Sequence, residues 1–188
     1  MDDVDETPDS VLAARARTGD AAAFGALVVR HQPAAIRLAT IVGGSLDDAA
    51  DIVQEAFVKA YRALPQQRDL AVVRAWMLRI VANEAKNFRR SSSRRTRRDD
   101  HYGSWVSATP LDPEAVALAT TDAQLLIAAL ARLGERDRQV IGFRYFAGLT
   151  EAETATALDA AAGTVKSRTA RALARLRQEL DGSGVRGD

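Results

Sequence analysis

Five basic side chains and no acidic one lie between Thr164 and Arg177, in a stretch with helical periodicity. Its apolar positions fall within an arc of roughly 100°, the width expected of a surface helix that faces a core. The arc consists of Val165, Thr169, Ala172, Leu173, Leu176 and Leu180, and the basic side chains are Lys166, Arg168, Arg171, Arg175 and Arg177. Such groups bind DNA phosphates, and arginine also forms bidentate hydrogen bonds to guanine. The stretch therefore predicts a DNA-binding helix.

The segment before this helix supports a helix-turn-helix. Leu149–Leu158 predicts a short helix capped by Thr150, with Glu153 at the capping-box position. Asp159–Ala161 then gives a tight connection into the basic helix. Two helices joined by a short turn, the second of them basic, are typical of this DNA-binding motif. The alternative is an ordinary amphipathic helix with a solvated basic surface, which the short capped helix and turn make less favourable.

A second surface has the opposite charge. Ser45–Asp48 is a capping box that opens a helix running to Leu64, before Pro65. The apolar arc of this helix is Ala49, Val53, Ala56, Phe57, Ala60 and Leu64, and its polar face is Asp47, Asp48, Asp51, Gln54, Glu55 and Arg62. Val58, and at the margin Ile52, interrupt the polar face. Apolar side chains among exposed charges are typical of a surface that contacts another protein.

A third long helix is predicted over Arg68–Arg90, and it ends in polar and basic residues. These are Asn83, Lys86, Asn87, Arg89 and Arg90. Asn83 and Asn87, one turn apart, offer donors and acceptors to an extruded base. Trp76 is interpreted as a core residue, with base stacking as the alternative. Ser91–Arg98, which contains Arg94 and Arg95, lacks apolar residues and is predicted to be a mobile basic loop that contacts phosphates.

The amino-terminal third predicts two further helices. Residues 1–6 are expected to form a disordered acidic tail. Thr7 is expected to cap a helix that ends at Thr18, and Asp20 to cap the next one, which Pro33 should kink or split. His31 has no metal-ligating residue at ligand spacing and is expected to be a partly exposed polar residue.

The carboxy-terminal part begins after a change in composition. Residues 99–121 lack sustained periodicity and contain prolines, which predicts a flexible linker. Helices follow up to Leu133 and over Glu135–Ala147. No stretch alternates as a strand does. We therefore predict an all-α protein with two small helical domains, residues 7–98 and 122–181, the second ending in the helix-turn-helix. Gly142 should cost roughly 1 kcal/mol inside a helix, and Thr154 stands where a larger apolar residue would pack the helix-turn-helix, so this domain is expected to be marginally stable alone.

Composition excludes several classes of function. The chain has no cysteine and only two histidines, and it lacks a glycine-rich phosphate loop. We therefore predict no catalytic residues, no metal, no cofactor and no enzymatic activity. No apolar run approaches the ~18 residues of a membrane span, and the acidic start is unlike a signal peptide. A cytoplasmic protein without membrane insertion is expected.

Three motifs, in order, resemble those of bacterial sigma factors. The string Asp47–Leu64 resembles their core-polymerase-binding helix, and Trp76–Arg90 resembles the promoter-melting helix of the extracytoplasmic-function group. Leu133–Leu149 is similar to the helix before their DNA reader. The Gly-Leu-Thr-Glu string at Gly148 and the Gly-Thr-Val-Lys-Ser-Arg string at Gly163 resemble the reader itself, although response regulators share these strings. The resemblance covers roughly residues 20–95 and 122–180.

The resemblance implies a factor that binds RNA polymerase core and directs promoter recognition, DNA melting and transcription initiation. It implies a stress or envelope response regulon and control by an anti-sigma factor. The implied core-binding residues are Asp48, Asp51, Gln54, Glu55 and Arg62. The implied minus-ten DNA residues are Trp76, Asn83, Lys86, Asn87, Arg89, Arg90, Arg94 and Arg95. The implied minus-thirty-five DNA residues are Thr164, Lys166, Ser167, Arg168, Arg171 and Arg175.

Two other classes of function remain as alternatives. One is a helix-turn-helix regulator that acts without joining RNA polymerase, and binding to polymerase core distinguishes it from a sigma factor. The other is a purely structural interaction protein, which should show no salt-dependent binding to DNA or polymerase.

Overall fold

The computed structural model describes residues 7–43, 45, 47–99 and 121–182, with the side chains of 93–99 and 121–124 left out. These residues form α-helices and short 3-10 and π turns, and the described ranges contain no strand, as the all-α prediction requires. The helices are α1 (Asp9–Arg17), α2 (Ala21–Gly43), α3 (Ala49–Ala63), α4 (Val73–Asp99), α5 (Thr121–Arg132), α6 (Glu135–Ile141), α7 (Glu151–Leu158) and α8 (Ala162–Gly182). The predicted acidic tail, and the predicted linker apart from Asp99 and Thr121, lie outside the described residues.

Helix α1 is attached to α2 by a partly buried polar cluster. The Asp9 carboxylate accepts hydrogen bonds from Arg30 Nη1 at 2.6 Å and from His31 Nε2 at 2.7 Å. Burial raises the pKa of Asp9, but the hydrogen bonds from His31 and Arg30 outweigh it, so the pKa is lowered overall. The expectation of a partly exposed His31 is wrong, because its side chain is buried and paired with Asp9.

The amino-terminal helix starts differ in detail from those predicted. Pro8, not Thr7, is the N-cap of α1, and no side chain caps that end. Asp20 does cap α2, since Ala23 N donates to its Oδ1 at 3.0 Å. Pro33 does not split α2, which is one helix from Ala21 to Gly43.

Helices α2, α3 and α4 pack around one apolar core. The whole predicted apolar arc of α3 is buried in it. Ile52 is buried as well and so does not interrupt the polar face. A 3-10 turn at Leu64–Gln66 and another at Leu70–Val72 connect α3 to α4.

Helix α4 continues through the stretch predicted to be a loop. It runs from Val73 to Asp99, so the loop prediction for Ser91–Arg98 is wrong. A segment without apolar residues has no face to bury in a core. The exposed end of a helix needs no buried face, so it can consist of such residues. Arginine is also a good helix former, and serine is tolerated.

The carboxy-terminal helices enclose a smaller core. Leu130, Val140, Ile141 and Val165 are almost fully buried there. The predicted helix over Glu135–Ala147 is formed by α6 and a π turn at Gly142–Phe146. Thr154 is fully buried, and its hydroxyl has no hydrogen-bond partner among the described residues. A buried hydroxyl without a partner weakens a small domain.

The two groups of helices contact each other. Phe143, Ala147, Leu149 and Ala157 belong to the same apolar cluster as the buried residues of α2, α3 and α4. Ile41 of α2, in turn, belongs to the cluster of the carboxy-terminal helices. The described helices are therefore docked on one another, an arrangement that the sequence patterns did not predict.

Candidate nucleic-acid interface

The helix-turn-helix forms as predicted. The Thr150 side chain accepts from Glu153 N at 3.2 Å, and the Glu153 carboxylate accepts from Thr150 N at 2.8 Å. This reciprocal capping box begins α7. Asp159 ends α7 with a left-handed backbone, φ 51°, which aspartate adopts more readily than most residues. Helix α8 starts three residues later, at Ala162.

The first turns of α8 present the predicted reading residues. Thr164, Lys166, Ser167 and Arg171 are exposed, and Arg168 is half-buried. The Ser167 hydroxyl donates to Thr164 O at 3.2 Å, and Arg171 Nε donates to Ser167 O at 3.2 Å. The second contact holds the guanidinium of Arg171 against its own helix through Nε. Thr164, Ser167 and Arg171 thus share one exposed side of α8, and Lys166 lies exposed on the other flank of its apolar stripe.

The residues of the predicted apolar stripe of α8 are buried or half-buried, with one exception. Val165, Ala172 and Leu176 are buried, and Thr169 and Leu180 are half-buried. Leu173 is 38% exposed, so its assignment to the core-facing arc is wrong. It lies at the edge of that arc, where the helix surface turns towards solvent.

Arg175 differs from the other predicted reading residues. It forms an ion pair with Asp137 of α6, whose side chain is only 9% exposed. A buried carboxylate is costly unless it is paired. The arrangement therefore gives Arg175 a structural contact that Arg168 and Arg171 lack within the described part of the chain.

The end of α4 carries the second set of predicted DNA residues. Asn83 and Asn87 are exposed, and Trp76 is half-buried against the core. Two of the basic residues contact Glu135 at the start of α6: Lys86 Nζ lies 3.8 Å from its Oε1 and Arg90 Nη2 lies 3.1 Å from its Oε2. These cations are thus paired with a carboxylate of the other group of helices.

The other predicted minus-ten residues are Arg89, Arg94 and Arg95. Burial lowers the pKa of Arg89, although the charge of Glu135 opposes the shift. An arginine nevertheless stays charged at neutral pH. Arg94 and Arg95 lie on the last turns of α4, and their side chains are outside the described residues.

The predicted protein-contact surface on α3 is exposed. Asp51, Gln54, Glu55 and Arg62 are exposed, and Asp48 is half-buried. Val58 and Tyr61 on the same helix are 38% and 42% exposed. Beside them a groove of about 480 Å³ runs between α2 and α3, lined mainly by apolar side chains such as Phe24, Val28 and Phe57. Carboxylates next to an apolar groove suit the binding of another protein.

Sequence reasoning missed several residues that shape these surfaces. Lys59 joins Glu55 of α3 to Glu84 of α4, with Nζ–O distances of 3.4 and 2.5 Å. The i,i+4 spacing of Glu55 and Lys59 was a visible signal for the first contact. Arg74 and Glu135 connect the two groups of helices, and nothing in their local sequence marks such distant partners.

Among the described residues, no group of three or more His, Cys, Asp or Glu side chains is placed to hold a metal ion. No described helix is both long and apolar enough to cross a membrane.

Two family models match the chain in the order of its helices. Sigma-70 region 2 matches residues 27–95, and Sigma-70 region 4 matches residues 129–178. The first match spans α3 and most of α4, and the second spans the helix-turn-helix. Both predicted surfaces therefore lie within recognised sigma-factor regions.

Individual sigma factors are similar to this chain over most of its length. The ECF RNA polymerase sigma-E factor of Escherichia coli strain K12 is 35% identical over 178 residues, covering 89% of this chain and 92% of that protein. A solved structure of CnrH in complex with the cytosolic domain of CnrY superimposes with a TM-score of 0.63 and 30% identity, covering 93% and 97% of the two chains. The sigma factor RpoE of Bartonella quintana, solved with the anti-sigma factor NepR, gives a TM-score of 0.67 and 26% identity, covering 84% and 96%.

These matches cover both predicted surfaces and the helices that carry them. The family consists of transcription initiation factors that are not themselves enzymes. This chain therefore belongs to the sigma-70 family, among the extracytoplasmic-function sigma factors of bacterial RNA polymerase.

Proposed function

We propose that this protein joins RNA polymerase core in the cytoplasm and directs initiation at a specific set of promoters, without catalytic chemistry of its own. The observation that carries the proposal is the pair of accessible surfaces of opposite charge, each within a different sigma-factor region. The acidic face of α3 suits a protein partner, and the basic face of α8 suits a polyanion.

Exposure supports the roles proposed for most of the individual residues. Asp51, Gln54 and Glu55, with Asp48 and Arg62, form the proposed core-binding face, because their charged or polar groups are accessible. Exposed Asn83 and Asn87 receive an extruded minus-ten base, whose unstacking costs a few kcal/mol that a pocket must return. Lys166, Arg168 and Arg171 read the minus-thirty-five element in the major groove.

Run-off transcription tests the proposal directly. Core polymerase is incubated with a promoter library, alone and with this protein, and the transcripts are sequenced. The protein should produce transcripts with defined start sites and a common upstream sequence. A chain that binds DNA but neither binds core nor starts transcripts acts instead as a regulator independent of polymerase.

A double variant tests the core-binding face. Asp51→Ala with Glu55→Ala should weaken binding to core at least tenfold, about 1.4 kcal/mol, with unchanged helix content. The matched control, Glu151→Ala with Asp181→Ala, removes two carboxylates from the carboxy-terminal helices and should leave core binding unchanged. Equal affinities in a competition assay contradict the assignment of this face.

Regulation by an anti-sigma factor is part of the proposal. CnrH and RpoE, two structural relatives, were solved in complex with CnrY and with the anti-sigma factor NepR. We infer that a protein of this kind covers the α3 face, the α8 face or both, for a stress or envelope regulon. Affinity capture from resting and stressed cells should recover it from the resting cells. Recovery of polymerase subunits alone under several growth states contradicts this inference.

A further inference from the structure

A cleft of about 620 Å³ lies between three helices, α4, α6 and α8. Its lining residues include five arginines, which come from all three helices: Arg90, Arg136, Arg168, Arg171 and Arg175. The carboxylates that line it are those of Glu135 and Asp137, so the lining has an excess of three positive charges. We call this site the arginine cleft.

The five arginines differ in how far they are already paired. Arg90 and Arg175 contact the two carboxylates of the cleft. Arg136 is exposed and Arg168 is half-buried, and neither forms a hydrogen bond or an ion pair with another described residue. Arg171 Nε donates to Ser167 O, which leaves its Nη groups. Three guanidinium groups therefore have donors available to a ligand in the arginine cleft.

This uncompensated charge favours an anion. A cleft lined mainly by one sign of charge concentrates the electric field and attracts ions of the opposite sign. Guanidinium groups also bind phosphate through two parallel hydrogen bonds, which gives geometric selectivity in addition to attraction. The walls of the cleft exclude part of the water, and charges attract each other more strongly where water is excluded. Phosphate is therefore the chemical group that the lining suits best.

The distribution of the arginines suits several linked phosphates. Arg136 approaches from α6, Arg168 and Arg171 approach from α8, and Arg90 approaches from α4. A single phosphate has too few oxygens to accept paired hydrogen bonds from donors on several helices. A short chain of phosphates supplies more acceptor oxygens and enough negative charge to balance the excess of three positive charges.

The shape of the arginine cleft also suits a small ligand. When a helix reads DNA it lies in a groove about 12 Å wide, so that the nucleic acid surrounds the protein. Here the protein surrounds the ligand, since the walls are three helices. The volume of the cleft is also within the range of roughly 300–1,000 Å³ that small-molecule sites have.

We propose that the arginine cleft binds a small polyphosphate, either inorganic or part of a nucleotide, and that the bound polyphosphate competes with promoter DNA for Arg168 and Arg171. The competition rests on the proposed function, because it treats these two arginines as DNA-reading residues. The binding of the polyphosphate itself does not depend on that role. Initiation by this protein then decreases as the concentration of the polyphosphate rises.

Calorimetric titration of the full chain with inorganic triphosphate tests the site. Triphosphate should bind with one molecule per chain, and inorganic phosphate should bind at least tenfold more weakly because it reaches fewer arginines. Adenosine triphosphate distinguishes the two sources of the phosphates. Tighter binding than triphosphate identifies a nucleotide as the ligand, and equal or weaker binding identifies an inorganic polyphosphate; both results support the site.

Single arginine variants locate the ligand. Arg136→Ala removes an exposed side chain without internal partners, so it should leave the fold intact and weaken triphosphate binding at least tenfold. Arg136→Lys should lie between that variant and the wild type, because an amine keeps the charge and loses the paired hydrogen bonds. Arg79→Ala and Arg177→Ala are the matched controls, since both arginines are exposed and lie outside the lining of the cleft. Circular dichroism verifies that every variant is folded.

Competition with DNA is measured on the same proteins with a labelled duplex of about 30 base pairs of random sequence, since phosphate contacts supply non-specific binding. Triphosphate should displace this duplex from the wild type at concentrations at which sodium sulfate of equal ionic strength does not. Arg136→Ala should require at least tenfold more triphosphate for the same displacement. The sulfate control is needed because salt alone weakens DNA binding.

Four results overturn the inference in whole or in part. Absence of triphosphate binding, or equal weakening in Arg136→Ala and Arg79→Ala, overturns the site, because the second result means attraction to diffuse surface charge. Equal binding of phosphate and triphosphate overturns the requirement for linked phosphates. Triphosphate that binds without displacing DNA overturns the competition. Failure of the protein to start transcripts with core contradicts the proposed function and leaves the binding result standing.

Discussion

The acidic face of α3 and the basic surfaces of α4 and α8 differ in how much of their charge is already paired within the protein. Asp51, Gln54 and Arg62 are exposed and make no hydrogen bond or ion pair with the rest of the described chain. Arg90 and Arg175, by contrast, are paired with Glu135 and Asp137. On the acidic face only Glu55 is paired, with the exposed Lys59, whereas the basic surfaces lose several cations to internal carboxylates.

The difference suggests an order of assembly. A partner that binds the α3 face displaces water and meets one internal ion pair there, the exposed pair between Glu55 and Lys59. DNA that binds the engaged surfaces must replace carboxylates with phosphates, which lowers the net gain in free energy. We therefore expect core polymerase to bind first, and DNA to bind the complex more readily than it binds the free protein.

The largest effect is expected at Arg171, a basic residue without an internal carboxylate partner in the described ranges. Its Nε donates to Ser167 O, which leaves the Nη groups for a base edge. Arg171→Ala should cost about 1–3 kcal/mol of promoter affinity and relax the preference at one minus-thirty-five position. Run-off transcription on a set of minus-thirty-five mutants measures this. Arg177→Ala, an exposed neighbour on α8, is the control. An equal loss on every promoter makes Arg171 a phosphate contact.

A second prediction concerns Arg175, where pairing should convert a DNA-binding residue into a structural one. Arg175→Ala leaves the Asp137 carboxylate buried without its partner and should lower the free energy of unfolding by about 1–2 kcal/mol. Adding Asp137→Asn removes the unpaired charge and should restore part of the loss. Chemical denaturation measures both variants, with Arg171→Ala as a neutral control. Unchanged stability in Arg175→Ala makes the ion pair dispensable and removes the contrast with Arg171.

Acid should weaken the contact between Arg74 and Glu153. Burial raises the pKa of Glu153, but the hydrogen bonds from Thr150 and the contact with Arg74 outweigh it, so the pKa is lowered overall from 4.5. A lowered pKa means that the stabilisation is present above 4.5 and is lost as the pH falls through the folded-state value. Glu153→Gln keeps a capping-box residue and removes this titration. Its unfolding free energy should converge with that of the wild type in acid, from a difference of up to about 1 kcal/mol at neutral pH.

The smallest effect is expected at Arg95, on the last turns of α4. Its charge contacts phosphate without reading sequence, so Arg95→Ala should weaken binding on all promoters alike. The slope of affinity against salt should fall by about one phosphate contact, or roughly threefold in affinity across a fourfold change in salt. A change in promoter preference would instead make Arg95 a sequence-reading residue.

The elements that local periodicity determines were predicted correctly. The buried side of α3 is the predicted arc, and the capping box at Thr150 begins α7 where expected. Both depend on residues within a few turns of each other. The exposure of the predicted reading residues on α8 follows from the same local pattern, because the buried stripe fixes the rotation of that helix.

Contacts between distant segments were not predictable in the same way. His31 is buried because Asp9, 22 residues away, pairs with it, and no spacing rule connects the two. Gly142 was predicted to weaken a helix, yet in the structure the absence of a side chain there allows Leu38 to pack closely against it. Ser91–Arg98 read as a loop for lack of apolar residues, but the helix before it extends through it. Each difference comes from a tertiary contact or from an exposed helix end.

Gly142 also bears on hybrid factors made by joining residues 1–99 of this chain to the DNA-reading half of a relative. The donor half brings its own residue to the position that faces Leu38. A donor with alanine or a larger residue there places a Cβ 2.9 Å from Leu38 Cδ1, so either Leu38 or the docked half must shift from its native position. Exchanging promoter preference then also changes the packing between the two halves, and restoring glycine at that position separates the two effects.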